Sequence, residues 1–130
     1  MSPASHYFAV FVGGGIGSAL RYGVGRVALL IVGPNFPAGT LIVNLIGCFM
    51  MGVLASWLAF RDDGIDQTTK LFLTTGALGG FTTFSAFALD AVSLWQRGDV
   101  ITACCYVLAS FVGSIGGLCI GLALMRAVAS

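Results

Sequence analysis

Tyr106, Ser110 and Ser114 recur at i, i+4 and i+8 within an otherwise apolar stretch of this 130-residue chain. On a helix that spacing draws one stripe of hydroxyl groups. Hydroxyls donate hydrogen bonds without carrying charge, so such a stripe suits a small anion handed from donor to donor. Serines so placed also bond back to their own helix carbonyls in apolar helices. Asn44, a few residues into another apolar run, brings an amide with two N–H donors, for an anion or for a neighbouring helix. Arg21 sits well inside a third run, where it either snorkels toward water or acts as a fixed positive charge that draws an anion in.

A fourth run holds Gly79-Gly80-Phe81-Thr82-Thr83-Phe84-Ser85-Ala86-Phe87. Adjacent glycines followed by two threonines are poor helix formers, and a break there frees backbone carbonyls. Carbonyl oxygens can replace the hydration shell of an alkali cation. The plainer alternative is a glycine kink. Phe81, Phe84 and Phe87 recur every three residues, so on an unbroken helix they share one face. A phenyl edge is positive, and edges turned into a narrow passage hold an anion weakly. Such a stripe otherwise faces core or lipid.

Other chemistries find no footing. His6 is the sole histidine and lies near the N-terminus, so no serine–histidine pair or histidine metal site assembles at depth. Cys48, Cys104, Cys105 and Cys119 all lie in apolar runs and read as packing residues, without function. Gly13-Gly14-Gly15-Ile16-Gly17 has the wrong spacing for a nucleotide fingerprint. A net charge of +1 offers no basic patch for nucleic acid.

The elements that must position these residues follow from hydropathy. Hydrophobic residues make up 58% of the chain and charged ones 8%, against roughly 25% charged in soluble domains, with a mean hydropathy of +1.00. Lipid is the solvent that suits such a surface. A spanning segment must satisfy its own backbone, and the long, non-alternating apolar runs choose helix over barrel strand. The expectation is an all-α membrane protein, one domain over 1–130, with transmembrane helices at about 5–32, 38–60, 66–96 and 99–128, the third one broken. The first run is too long for a signal peptide and reads as a retained helix. Gly33-Pro34-Asn35-Phe36-Pro37 ends it. Asp66 and Asp99 are expected N-caps of the third and fourth helices. Gly13 and Gly17, and Gly113, Gly117 and Gly121, read as faces for close helix packing.

Four helices make a thin bundle with little room for a pore, so a transporting protein of this size is expected to oligomerise. Arg61, Lys70 and Arg126 lie on one side of the membrane and Arg97 and Arg26 on the other, a weak bias that permits insertion both ways. An antiparallel homodimer, with its two-fold axis in the membrane plane, is the natural product.

Three stretches together resemble one family over almost the whole chain. Gly14-Gly15-Ile16-Gly17-Ser18-Ala19-Leu20-Arg21-Tyr22, Gly39-Thr40-Leu41-Ile42-Val43-Asn44-Leu45-Ile46-Gly47 and Gly79–Phe87 are similar, in order, to the first, second and third helix motifs of the Fluc (CrcB-type) fluoride channels. The resemblance implies a passive fluoride-selective channel in the plasma membrane, the bacterial inner membrane, lowering cytoplasmic fluoride. It implies a dual-topology homodimer with two antiparallel pores. It places the backbone carbonyls of Gly79 and Thr82 around a central structural sodium ion. It places Asn44, Phe84, Phe87, Tyr106, Ser110, Ser114 and, more weakly, Thr83 along the pore, with Arg21 in the vestibule. Asp90 stands where relatives carry glutamate and receives no site role. The competing expectation is a small proton-coupled multidrug exporter, which needs an embedded carboxylate; the chain has no glutamate, and Asp90 is the one acidic residue within the apolar runs. A non-transporting membrane scaffold would need only the glycine faces.

Overall fold

The computed structural model describes residues 2–61 and 64–129, all helix and connecting turn; Asp62 and Asp63 of the expected charged connection lie outside the described residues. Helix α1 spans Pro3–Val32 and α2 spans Ala38–Phe60. The third membrane crossing is composite: α3 at Gln67–Leu71, a π-helical stretch at Phe72–Leu78, one turn, α4, at Gly79–Phe81, and α5 at Phe84–Gln96. Helix α6, Val100–Ala129, completes the fold. Four segments, Pro3–Val32, Ala38–Phe60, Gln67–Gln96 and Val100–Ala129, are long and apolar enough to cross a membrane. A helix of 30 residues spans about 45 Å, more than the roughly 30 Å of hydrocarbon.

Local chemistry sets the ends. Ser2 caps α1 by accepting from the Ser5 N–H, and Gly33, at φ 93°, ends it in a conformation that favours glycine. Asp66 caps α3 through Oδ1, which accepts from the Thr69 N–H at 3.2 Å. Asp99 stands at the expected cap position, directly before α6. Its backbone carbonyl accepts from Ala103 N–H, while its carboxylate lies 3.5 Å from the Arg97 guanidinium.

Glycines bring the backbones together. On α1, a Cβ at Gly13 would meet the Phe72 carbonyl oxygen at 2.6 Å, and one at Gly17 would run into the Ala77 carbonyl. Gly80 returns the approach, since a Cβ there would meet the Gly14 Cα at 3.0 Å. Helices α2 and α6 lock the same way. A Cβ on Gly52 would strike the Leu118 carbonyl, and one on Gly121 the Phe49 carbonyl. Without a hydrophobic force between helices in lipid, such backbone proximity supplies the packing. The buried cluster Phe87, Leu94, Ala103 and Tyr106 joins α5 to α6, with Phe36 and Leu41 against it. Most large apolar side chains of α1 and α6, such as Phe8, Phe11, Leu30, Ile101 and Val112, face outward, as a lipid-solvated surface requires.

Candidate functional site

Thr82 and Thr83 are extended, at φ −90°, ψ 157° and φ −153°, ψ 121°, between the helical turn ending at Phe81 and the helix starting at Phe84. Gly79 and Gly80, the poorest helix formers nearby, remain helical. The departure falls on the threonines because partners wait there. The Thr83 N–H donates to Asn44 Oδ1 at 2.8 Å, and Asn44 Nδ2 donates to the Thr83 carbonyl at 3.0 Å. The Thr83 hydroxyl caps α5 by accepting from the Ala86 N–H at 3.2 Å. One asparagine on α2 thus clasps both main-chain groups of one residue across the helix gap. Of the two readings of Asn44, donor to an anion or bond to a neighbouring helix, one N–H takes the second, committed to Thr83.

The clasp has a second consequence. A helical carbonyl at position i accepts from the N–H at i+4. For Gly79 that donor is Thr83, which is turned to Asn44. For Thr82 it is Ala86, which is turned to the Thr83 hydroxyl. Gly79 and Thr82 are thus two of the carbonyls around the break whose i+4 donors are bonded elsewhere. The Gly80 carbonyl between them is taken by Arg21, whose Nε donates at 3.0 Å, with the Ser18 hydroxyl at 3.5 Å. Among the described residues no group of three histidine, cysteine or acidic side chains is placed to hold a metal. A cation here would have to rest on backbone oxygens, and carbonyls lacking their helical donors fit a hard alkali ion.

A cavity of about 210 Å³ opens beside the break, lined by Asn44, Thr82, Thr83, Phe84, Phe87, Ser110 and Ser114, and also by Cys48 and Phe111. Every lining side chain is uncharged. Residues from α2, α5, α6 and the break between α4 and α5 meet there. Phe84 is 69% exposed on the single chain and Phe87 6%, their ring centroids 5.5 Å apart. Phe111 meets Phe87 edge-on at 5.6 Å. Ser110 is 4% exposed, and its Oγ is buried without a hydrogen-bond partner. A buried hydroxyl without a partner, on a residue bordering a largely apolar cavity, keeps its donor uncommitted.

The expected stripe divides. Ser110 and Ser114 line the cavity. Tyr106, fully buried, lies behind Phe87 at 5.3 Å and donates its hydroxyl to Asp90 Oδ2 at 3.2 Å. Asp90 borders a second space of about 350 Å³ together with Thr40, Ser93 and Arg97, toward the turns after α1 and α5. Phe87 lines the smaller space and packs on Tyr106, whose hydroxyl reaches Asp90 at the edge of the larger one. Phe81 leaves the expected phenylalanine face because two extended residues break the i, i+3 register; its ring leans toward Gly47 on α2. Arg21 lies outside the cavity, against the Gly80 carbonyl. Cys48, read from the sequence as a packing residue, and Phe111, given no role there, also border the cavity. The signal was available, since Cys48 is four residues after Asn44 and Phe111 adjoins Ser110.

The profile of the family described as CrcB-like protein, Camphor Resistance (CrcB), matches residues 8–122. A protein of Rhizobium etli (strain CIAT 652) is 52% identical over 122 residues, covering 94% of this chain and 97% of that one. A protein of Novosphingobium aromaticivorans is 49% identical over 122 residues, covering 92% of this chain and 95% of its own. Both carry the name Fluoride-specific ion channel FluC. A protein of Nitrobacter hamburgensis, named Fluoride-specific ion channel FluC 2, is 45% identical over 121 residues, covering 93% and 97%.

Proposed function

The chain belongs to the CrcB-like family, and from that premise we propose that it is a passive, fluoride-selective channel of the bacterial inner membrane through which fluoride leaves the cytoplasm. It is a multi-pass membrane protein and not an enzyme. The observation that carries the reading is the uncharged, donor-lined cavity beside the break. Fluoride is small and holds its water strongly. A selective path must replace that water piecemeal, with sites weak enough to release the ion. The remaining Asn44 N–H, the Ser110 and Ser114 hydroxyls and the edges of Phe84 and Phe87 are such donors. Helix α5 begins at this cavity, so the partial positive charge of its N-terminus favours an anion there.

The active unit is an antiparallel homodimer with two pores. The support is a set of polar groups left uncovered at membrane depth on the single chain: Thr75, Gly79 and Ser85 are exposed within the third crossing. Irregular or polar backbone is tolerated at that depth only when buried in protein or lining water, and an inverted second copy provides the cover. The Gly79 and Thr82 carbonyls of the two copies would hold a structural sodium ion at that seam. A buried positive charge there lowers the electrostatic cost of an anion on either side. The competing exporter reading relies on Asp90, which already accepts the Tyr106 hydroxyl and lies outside the 210 Å³ cavity.

Purified protein in liposomes loaded with fluoride or chloride tests the proposal with ion-selective electrodes. Fluoride is expected to leave and chloride to stay. Equal release of both ions overturns selectivity, and release of neither overturns the channel reading.

A further inference from the structure

We propose that Cys48 is a pore residue of this chain, and that a thiol-directed reagent bonded to it closes the permeation path. The inference rests on the channel reading above and adds to it a modification site. Cys48 is a free, half-buried thiol one helical turn after Asn44 on α2, and it lines the 210 Å³ cavity. The cavity holds an independent sign of an occupant, the Ser110 Oγ, buried and without a hydrogen-bond partner. Cys48 and Ser110 thus border one small space, together with Ser114 and Phe111. A thiol is a weak donor among stronger ones, and it is the nucleophile of this cavity. Cys104, Cys105 and Cys119 are exposed on the outer surface of α6, among apolar side chains turned outward. Thiolate formation and attack need water and access. A cavity on the ion path that opens to water offers both, and the cysteines on the apolar outer surface of α6 have neither.

Neutral methyl methanethiosulfonate is the probe. The Cys48 thiolate attacks the sulfenyl sulfur of the reagent, its proton having gone to water. A mixed disulfide forms, the sulfur–sulfonyl bond breaks, and methanesulfinate leaves with the electron pair. The added thiomethyl group fills part of the space an ion must cross.

The test uses the whole protein in liposomes. Treated wild-type protein is expected to lose most of its fluoride efflux, and dithiothreitol to restore it. Cys48→Ser is expected to keep, after treatment, whatever rate it had before. A variant with Cys104, Cys105 and Cys119 all changed to alanine, retaining Cys48, is expected to remain sensitive. Intact-protein and peptide mass spectrometry reports occupancy at each cysteine separately. Inhibition that persists in Cys48→Ser overturns the proposal, as does full modification of Cys48 with efflux intact, or a Cys48 that stays unmodified. Should untreated protein carry no fluoride, the channel reading itself fails, and labelling of Cys48 ahead of the α6 cysteines still decides whether its thiol faces water.

Discussion

Replacing Asn44 by alanine removes both arms of the clasp that holds the break. Two hydrogen bonds of 2.8 and 3.0 Å are lost, and the Thr83 N–H and carbonyl are left without their partners. Interhelical hydrogen bonds within membranes average about 0.6 kcal/mol each, which sets a floor near 1 kcal/mol for two. Orphaning buried groups outright costs ~1–3 kcal/mol apiece, which sets a ceiling near 6 kcal/mol. Thr83 is half-buried and borders the cavity, so water admitted there replaces part of what is lost. The expected destabilisation is therefore about 1–2 kcal/mol, toward the floor. Function should suffer more than stability. Once Thr83 is free, its N–H can return to the Gly79 carbonyl as an ordinary helical bond. The variant is read in two ways: an unfolding titration in mixed micelles for stability, and fluoride efflux from liposomes for conduction. Asn44→Asp sharpens the test. It keeps an acceptor for the Thr83 N–H, loses the donor to the Thr83 carbonyl, and puts a negative charge in an anion's way. The lost donor and the unpaired charge at depth should leave it no more stable than Asn44→Ala and no better at conduction. Wild-type stability together with wild-type efflux in Asn44→Ala would refute the claim that this amide holds the break.

Further outcomes follow from the same geometry. Gly17→Ala drives a methyl into the Ala77 carbonyl and is expected to destabilise the fold by about 1–3 kcal/mol in the same titration. Gly15→Ala, whose added methyl meets nothing within 4 Å, is expected to be neutral or to gain up to about 1 kcal/mol. Phe84→Ile should cut fluoride efflux sharply while the protein stays folded, because a ring 69% exposed on its own chain holds little of the fold together; unchanged efflux would remove the ring from the path. A cysteine placed at Gln96, exposed at the end of α5, in a background whose native cysteines are changed to alanine, should be labelled by impermeant reagents from both sides of the membrane. One-sided labelling would contradict dual topology.

Much of the fold was legible in one dimension. Helix length and hydropathy are properties of consecutive residues, so the four crossings and their turns stood in the text to within a residue or two. The glycine spacings on α1 and α6 announced close packing for the same reason. What lay beyond reach was where the third crossing departs from helix. Gly79-Gly80 looked weakest by propensity, yet Gly80 serves contact with Gly14, and a helix pressed against another backbone stays helical. The chain opens at Thr82 and Thr83 because an amide 39 positions earlier stands ready to receive Thr83.

Residue types alone determined that this protein lives in lipid as a few long helices, with a small set of neutral donors at depth. Only the tertiary structure decided which donors meet. It gathered Ser110, Ser114, Cys48 and Asn44 around one cavity, turned Tyr106 away to Asp90, and took Phe81 out of line with Phe84 and Phe87. Propensity and hydropathy are sums over neighbours in sequence. Satisfaction of a buried hydrogen-bonding group depends on whatever stands across the helix interface, and no stretch of this sequence read by itself contains its partner.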